Sequence, residues 1–384
     1  RTVTVGQVVE TDLVSLLNGK LSEGGCAGVL VNTVRRAQEI SRTLRETFGE
    51  DVVRLLHSRF LAPDRAVKER ELLSELGKPG GKTLRPSFRI VVGTQVLEQS
   101  LDIDFDIMVT ELCPMDLLLQ RMGRLHRHTR TRPQKLAEAQ CFIIEEPEQE
   151  FDPASEKIYG GYLLMRTKAR LPSKVTLPDD IPPLVQSVYD DESPLINIEH
   201  KEYQKYREQW MKILSDKEKR ARDFRIAPAW PDPGQTMIGW MDSDVSHHQS
   251  EATVRDTDES IEVLVVQQKS DTSIHFLPWV EDGREIILHE LPDQVTAKVL
   301  ACQRIRLPGV LCAPWNIDKT IRELEDTNRI KLSLWQQSPW LKGELALILN
   351  ETFHATLGDF RIQYNRQEGL LYEKEEDMNV RKRV

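Results

Sequence analysis

The densest chemistry in this 384-residue sequence lies in Gln120-Arg-Met-Gly-Arg-Leu-His-Arg127. Gln120, Arg124 and Arg127 stand at i, i+4 and i+7, one face of a helix, while Leu118, Met122 and Leu125 keep the same spacing on the opposite face. If the helix runs on to Arg127, the apolar residues anchor it to a sheet and two guanidiniums point into a cleft. Arginine stays protonated and offers a planar fork, which suits a phosphate; such a group on a γ-phosphate is worth about 10³–10⁵ in rate. From Arg121 to Lys135 there are six Lys or Arg and no acid, and the ordinary reading of such a run is a solvated face. Acids follow at Glu145, Glu146, Glu148, Glu150 and Asp152.

Upstream, Val92-Gly-Thr-Gln-Val-Leu-Glu-Gln-Ser-Leu-Asp-Ile-Asp104 leaves an expected buried strand where an α/β sheet opens its ligand crevice. Val31-Asn-Thr33 ends one strand and starts a helix, so free N–H groups and the Thr33 hydroxyl can meet an anion. His57-Ser-Arg59 does the same after the next strand; plain capping is the alternative for both. Asp102, Asp104 and Asp106 alternate along one run and converge poorly, so no metal site is expected there. Gly80-Gly-Lys-Thr83 looks like the end of a P-loop, but Leu76 replaces the required earlier glycine and the segment follows a helix. Asp242, Asp244, His247 and His248 read as a polar loop rather than metal ligands.

The elements that must position these groups alternate between residues 27 and 145: short β-branched runs, then amphipathic stretches, the pattern of a parallel sheet covered by helices. Strands are expected at Gly28–Val31, Val52–Leu56, Arg89–Val92, Asp106–Glu111 and Gln140–Ile144, and helices at Val34–Phe48, Asp64–Leu76 and Pro114–Leu125. Prolines 172, 178, 182, 183 and 194 predict an extended linker from Arg170 to Pro194. A helix between His200 and Arg222 follows, with Tyr203, Tyr206, Trp210, Ile213 and Leu214 as its apolar stripe. Residues 231 to 258 read as a mobile polar loop. Strand pattern resumes at Ile261, helices follow Pro314, and residues 360–364 and 370–372 read as a hairpin. The expected fold class is thus α/β, with a parallel-sheet domain at 1–148, a linker with a long helix at 149–230, and a smaller α+β domain at 231–384.

Composition narrows the class. Hydrophobic residues at 39% and charged residues at 29% exclude wholesale disorder, and no apolar stretch nears the ~20 residues that cross a bilayer. A net charge of −9 excludes an overall coat of positive charge, though not local binding of nucleic acid. Five cysteines without a C-x-x-C pair suggest neither zinc nor a disulfide framework and fit a reducing, cytoplasmic setting. The chain opens on Arg1 with no signal-peptide pattern and reads as a piece of a longer protein.

Residues 120–127 match Q-x-x-G-R-x-x-R, the last motif of superfamily 2 helicases. Together with Thr94–Asp104 they resemble motifs V and VI of the CRISPR-associated type I helicase-nuclease, in its I-E form, where T-Q-x-x-E-x-S-L-D-x-D and G-R-x-H-R are characteristic. Most superfamily 2 enzymes carry Gly where Ser100 stands, and often where His126 stands. The resemblance covers residues 1 to about 145 and implies a second RecA-like lobe followed by an accessory domain.

In that family Arg124 and Arg127 would sense the γ-phosphate, Gln120 would position them, and Asp102 would help hold the nucleotide. Asn32, Thr33, His57, Ser58, Arg59, Thr94 and Gln95 would grip a single DNA strand. ATP and Mg²⁺ would be bound mainly by a first RecA-like domain, which with an N-terminal HD nuclease and the Cascade complex completes the implied partners. The resemblance further implies 3′-to-5′ unwinding by the whole protein and an inactive isolated chain. A lobe of another superfamily 2 DNA or RNA helicase, or a docking module without its own activity, are the alternatives.

Overall fold

The computed structural model describes residues 1–80, 84–99, 101–145, 151–190, 200–223, 260–270 and 273–374. Aliphatic runs too apolar to face water on either side make the centre of a seven-stranded sheet. Its strands are β1 (Thr2–Val9), β2 (Gly25–Leu30), β3 (Val53–Leu56), β4 (Phe88–Gly93), β5 (Ile107–Glu111), β6 (Ala139–Glu145) and β7 (Lys174–Thr176), in the order β3-β4-β2-β5-β6-β1-β7. All pairings are parallel except β7 with β1. Every residue of β2 and β5 is buried, so neither alternates between apolar and polar faces, and β5 carries its two polar residues, Thr110 and Glu111, at its C-terminal end.

Helices cover both faces. On one, α1 (Leu13–Lys20) and α2 (Val34–Phe48) bring Leu17, Ala37, Ile40 and Leu44 against Val29, Val53 and Val92. The other carries α3 (Ala62–Leu76), the single-turn α4 (Val96–Gln99), α5 (Met115–Met122), α6 (Pro153–Tyr159), α7 (Gly161–Arg170) and α8 (Ile181–Tyr189). There Leu72, Leu97, Met115, Leu118, Tyr162 and Val188 join Leu30, Leu56 and Met108 in one core. Each fully buried aliphatic side chain stabilises the lobe by about 1.5–3 kcal/mol.

The expected strands fall within three residues of those observed, but three expectations need correction. Residues 1–9 carry the extra strand β1, whose alternating Thr and Val sends Val3 and Val8 into opposite cores. The stretch from Arg170 to Pro194 is not an extended linker over its described part, because it holds β7 and α8. Pro182 and Pro183 open α8, where a missing N–H has no partner to lose. The first domain does not end at 148 either: β7 completes its sheet and Val175, Leu177 and Val188 lie in its core.

Arg166 pins this addition. Its buried guanidinium donates to the carbonyls of Ser187 (2.8 Å), Val188 and Asp190 at the C-terminal end of α8, where a cation meets unpaired carbonyls and the negative helix pole. Helix α9 (His200–Asp223) then packs Tyr203, Tyr206 and Trp210 on the lobe, while Ile213 and Leu214, expected on the same stripe, are exposed.

The remaining strands are β8 (Glu262–Ser270), β9 (Ser273–His275), β10 (Glu285–Ile286), β11 (Arg304–Arg306) and β12 (Leu345–Leu349), gathered around β8, and the meander β13 (His354–Leu357), β14 (Phe360–Asn365), β15 (Gly369–Lys374). Helices α10 (Gln294–Cys302) and α11 (Ile317–Lys331) complete an α+β domain. The expected hairpin is β14–β15, and it docks on the first lobe. The backbone N–H of Leu370 donates to the Arg59 carbonyl (2.8 Å), and Gln38 Nε2 donates to the carbonyls of Glu368 (2.7 Å) and Leu370 (3.2 Å). Gly369 sits at φ +75, and any Cβ there would strike the Arg59 carbonyl and the His57 ring.

His57 lies fully buried beneath this hairpin. One ring nitrogen accepts from the Arg59 N–H (3.1 Å), which leaves the other to donate to the Glu368 carbonyl (3.0 Å). Burial holds the imidazole neutral, with its pKa down to about 3. An unfolded histidine titrates near 6.5, so this contribution is complete above that pH and lost as pH falls toward 3, about 2 kcal/mol of it by pH 5. Urea unfolding at pH 7 and pH 5 should show that loss in the native chain and a smaller one in His57→Gln; equal losses would show that His57 is not the acid-sensitive group.

Candidate functional site

Six parallel strands deliver their C-terminal ends to one edge, and most of the motif residues meet there. At its centre Arg121 is fully buried. Its Nε donates to the Glu98 carboxylate at 2.6 Å, and neither side chain is exposed to solvent. Its two terminal nitrogens donate to Thr110 Oγ1 (2.8 Å), the Glu111 carbonyl (3.3 Å) and Asn32 Oδ1 (2.9 Å). One guanidinium thereby joins the loop after β2, the helix after β4, the end of β5 and α5. Burial raises the pKa of Glu98, whereas the adjacent arginine works to keep it ionised.

Helix α5 stops at Met122, so Gln120, Arg124 and Arg127 do not share a helical face, contrary to the spacing argument. The reason is a competing partner. Leu125 pairs with Phe105 as a short parallel bridge, the Phe105 N–H donates to the Arg124 carbonyl (2.9 Å) and the His126 N–H to the Phe105 carbonyl (3.0 Å). His126 takes φ 45 to make the turn. Leu118, Met122 and Leu125 are all buried in the lobe core, as their spacing predicts.

Beyond the turn the basic run crosses the acidic one. The buried Asp104 accepts from the Arg127 N–H (2.8 Å) and from Arg132 (2.8 Å), with Arg130 Nε 2.7 Å away. Asp106 accepts from the Cys26 N–H (2.7 Å), Arg85 (2.9 Å) and Arg132. Asp102 pairs with Arg127, which lowers the carboxyl pKa. Arg121, Arg127, Arg130 and Arg132 of the run are therefore ion-paired rather than a solvated face, and guanidiniums occupy oxygens of Asp104 and Asp106.

Arg124 differs. It is half-buried, and its guanidinium donates to the backbone carbonyl of Glu98. Among the described residues it has no carboxylate partner, and its buried Nε is unpaired. Burial, helped by Arg127, lowers its pKa. An arginine so placed fits an incoming anion such as a phosphate oxygen. Arg127 offers a second fork, 40% exposed, if Asp102 releases it. Gln120 is exposed on α5.

The other expected residues divide. Thr94 is buried after β4, and Gln95 donates to the Asn32 carbonyl (3.2 Å) and the Tyr159 hydroxyl (2.8 Å). Thr33 Oγ1 caps α2 by accepting from the Arg36 N–H (3.2 Å). Asn32 is buried with both ends of its amide engaged by Arg121, Ser155 and the Leu112 carbonyl, so its side chain has no reach toward a strand. His57 is sealed under the hairpin and Arg59 stacks on Tyr372, 5.3 Å to the ring centroid, so of that turn Ser58 and part of Arg59 stay open. Ser100, residues 81–83 and the 242–248 group lie outside the described residues.

Sequence reasoning passed over Arg121, Glu98, Asp104 and Asp106 as site-builders. The available signal was arithmetic: four carboxylates between residues 98 and 106 face the arginines of 121–132, and buried charges must find partners. Replacing Arg121→Met should strand the Glu98 charge and cost about 3–5 kcal/mol, whereas Arg121→Met with Glu98→Leu should recover much of it. Urea denaturation of the two variants tests this; no recovery in the double variant would mean that the pair is not the coupled unit.

Residues 23–130 match the family model for the C-terminal part of the CRISPR-associated nuclease/helicase Cas3, and residues 255–370 match the Cas3 C-terminal domain. The CRISPR-associated nuclease/helicase Cas3 of Streptococcus thermophilus is 39% identical over 385 residues, covering 97% of this chain and 41% of that protein. The chain thus spans about two fifths of that relative's length. The crystal structure of T. fusca Cas3-ATP superposes with a TM-score of 0.76 at 25% identity, over 97% of this chain and 42% of that one. A chain of a CRISPR RNA-guided surveillance complex, pre-nicking, superposes with a TM-score of 0.69 at 25% identity, over 97% and 44%.

Proposed function

On the premise that this chain is homologous over nearly its whole length to the C-terminal helicase region of Cas3 proteins, we propose that it is the second lobe and accessory domain of an ATP-dependent motor acting on single-stranded DNA. The observation that carries the reading is Arg124, a half-buried guanidinium that, among the described residues, has no carboxylate at the edge where the motif strands end. A group that needs an anion, set on a loop that bridges to Phe105, is preorganised for charge that another body brings.

In this reading ATP with Mg²⁺, bound mainly by a first RecA-like domain outside the chain, supplies the free energy of phosphoryl transfer. Arg124 meets the γ-phosphate side, and Arg127 exchanges Asp102 for phosphate oxygen, so Asp102 holds the second arginine in reserve. Gln120, exposed on α5, faces the partner lobe. Thr94, Gln95, Ser58 and the first-turn N–H groups of α2 behind Thr33 line the strand path and contact phosphates, which carry no sequence. The whole protein would run 3′ to 5′, with a nuclease domain and a Cascade-type surveillance complex of a type I-E system as partners in the cytoplasm. The likeness to a chain of a CRISPR RNA-guided surveillance complex supports a surveillance complex as partner.

The isolated chain should turn over no ATP, since its sequence contains neither a P-loop nor a D-E-x-H segment. In a protein that includes the first lobe, Arg124→Ala should lower ATP hydrolysis by about 10³-fold or more while single-strand affinity stays nearly unchanged. Hydrolysis assays beside binding titrations check both; parallel loss of binding and hydrolysis would remove Arg124 from the nucleotide side.

A further inference from the structure

Neighbouring parallel strands that send their following helices to opposite faces of a sheet leave a crevice between their carboxyl ends. Between β2 and β5 Arg121 occupies it, held by Asn32 Oδ1 and the Glu111 carbonyl. The neighbours β1 and β6 repeat the arrangement. Leu13 and Leu17 of α1 enter the core on one side of the sheet, Tyr162 and Leu163 of α7 the core on the other. There the ends of both strands, with α6, α7 and the residues before β7, enclose a cavity of about 270 Å³.

Val5, Ile143, Ile144, Phe151, Leu164 and Leu171 give the cavity an apolar wall, and Glu111, Glu145 and Asp152 line it against the single ammonium of Lys168. The buried Glu111 ends β5 beside Ile144, one residue before Glu145 on β6. Asp152 Oδ2 accepts from the Ser155 N–H (2.7 Å) and hydroxyl (2.9 Å), Ser155 Oγ accepts from Asn32 Nδ2 (2.7 Å), and Glu111 Oε2 accepts from the Asn32 N–H (2.7 Å). One serine and one asparagine thus tie two carboxylates together. Burial raises the Glu111 pKa, and the charge of Asp152 adds to it. Arg36 pairs with Glu111 at 2.9 Å but is shared with Glu10 at 2.6 Å. Glu145 and Asp152 are half-buried, and among the described residues neither has an ion-pair partner, Lys168 included. Carboxylates so placed favour an incoming cation.

We propose that this cavity binds a small organic cation, a primary alkylammonium whose chain lies on the apolar wall and whose head group meets Glu111, Glu145 and Asp152. An ammonium offers three donors and no acceptor, which suits a group of carboxylates, and the volume stands near the lower end for small-molecule clefts. Lys168 is exposed at the rim, where water screens it, whereas Glu111 is buried, so the inner charge is negative. None of the residues assigned to ATP or to the DNA strand lines the cavity, so the site does not rest on the motor reading.

Isothermal titration calorimetry of the whole 384-residue chain with n-hexylammonium chloride tests this, beside n-hexanol, hexanoate and methylammonium at equal ionic strength. Hexylammonium should bind saturably, and the three controls about tenfold more weakly or less, since each lacks either the charge or the apolar body. Glu145→Gln/Asp152→Asn should weaken hexylammonium binding about tenfold or more while melting no lower than the native chain, because asparagine keeps the cap of α6. Ser173→Trp, at the exposed rim, should weaken it with every charge in place. No saturable binding, or equal affinity of the native chain and both variants, overturns the site; hexanol or hexanoate binding as tightly as hexylammonium overturns its preference for a cation. These readouts need neither ATP nor DNA, so they stand or fall apart from Arg124.

Discussion

A guanidinium withdrawn entirely from water must find acceptors for its donors inside the protein, and Arg121 finds them on four different elements. Its pairing with Glu98 is costly to desolvate and contributes little net stability by itself. What it contributes is arrangement. Glu98 offers its side chain to Arg121 and its backbone carbonyl to Arg124, so the buried pair and the half-buried, carboxylate-free arginine share one residue on the single-turn helix behind Thr94. Asn32, held by the same guanidinium, anchors Gln95 through its carbonyl. The strand ends at this edge are thus a single polar network in which no member moves alone.

Around that network, charge is sorted by depth. Asp104 and Asp106 are buried and fully met by Arg85, Arg130 and Arg132, whereas Asp102 and Arg127 face water across a pair that is half exposed. An exposed pair contributes little stability and exchanges partners readily; a buried one does not. The same row of alternating aspartates therefore serves as scaffold at one end and as an exchangeable contact at the other. Arg124, between them, has neither kind of partner among the described residues.

The accessory domain is part of this arrangement rather than an appendage. Its β14–β15 hairpin covers the end of β3, where Glu368 accepts through its backbone from Gln38 and His57 and through its carboxylate from Arg42. Leu61 of the first lobe lies in the same core as Val263, Leu349 and Tyr364 of the second. Shared apolar surface and hydrogen bonds of this kind couple the two domains, so a displacement of the turn at 57–59 is felt by the hairpin.

Much of the first lobe was legible in the sequence, because its signals are local. Period-two and unbroken apolar runs located five of the seven strands, helical spacing located α2, α3 and α9, and the motifs from Thr94 to Arg127 marked the edge where they meet. Local signals also failed in a local way: prolines 182 and 183 read as breakers although they start α8, and i, i+4, i+7 spacing implied a helix through Arg127 that ends at Met122. Only the tertiary structure decided which charges pair and which stay open. Asp104 captures arginines more than twenty residues away, and Glu368 reaches His57 across 311 positions, so whether Arg59 faces solvent or a hairpin depends on contacts that no period in the sequence encodes. Composition and spacing set the elements and their apolar faces; the selection of partners for buried charge required the assembled fold, since desolvation makes an unmatched group costly only once the surrounding chain is in place.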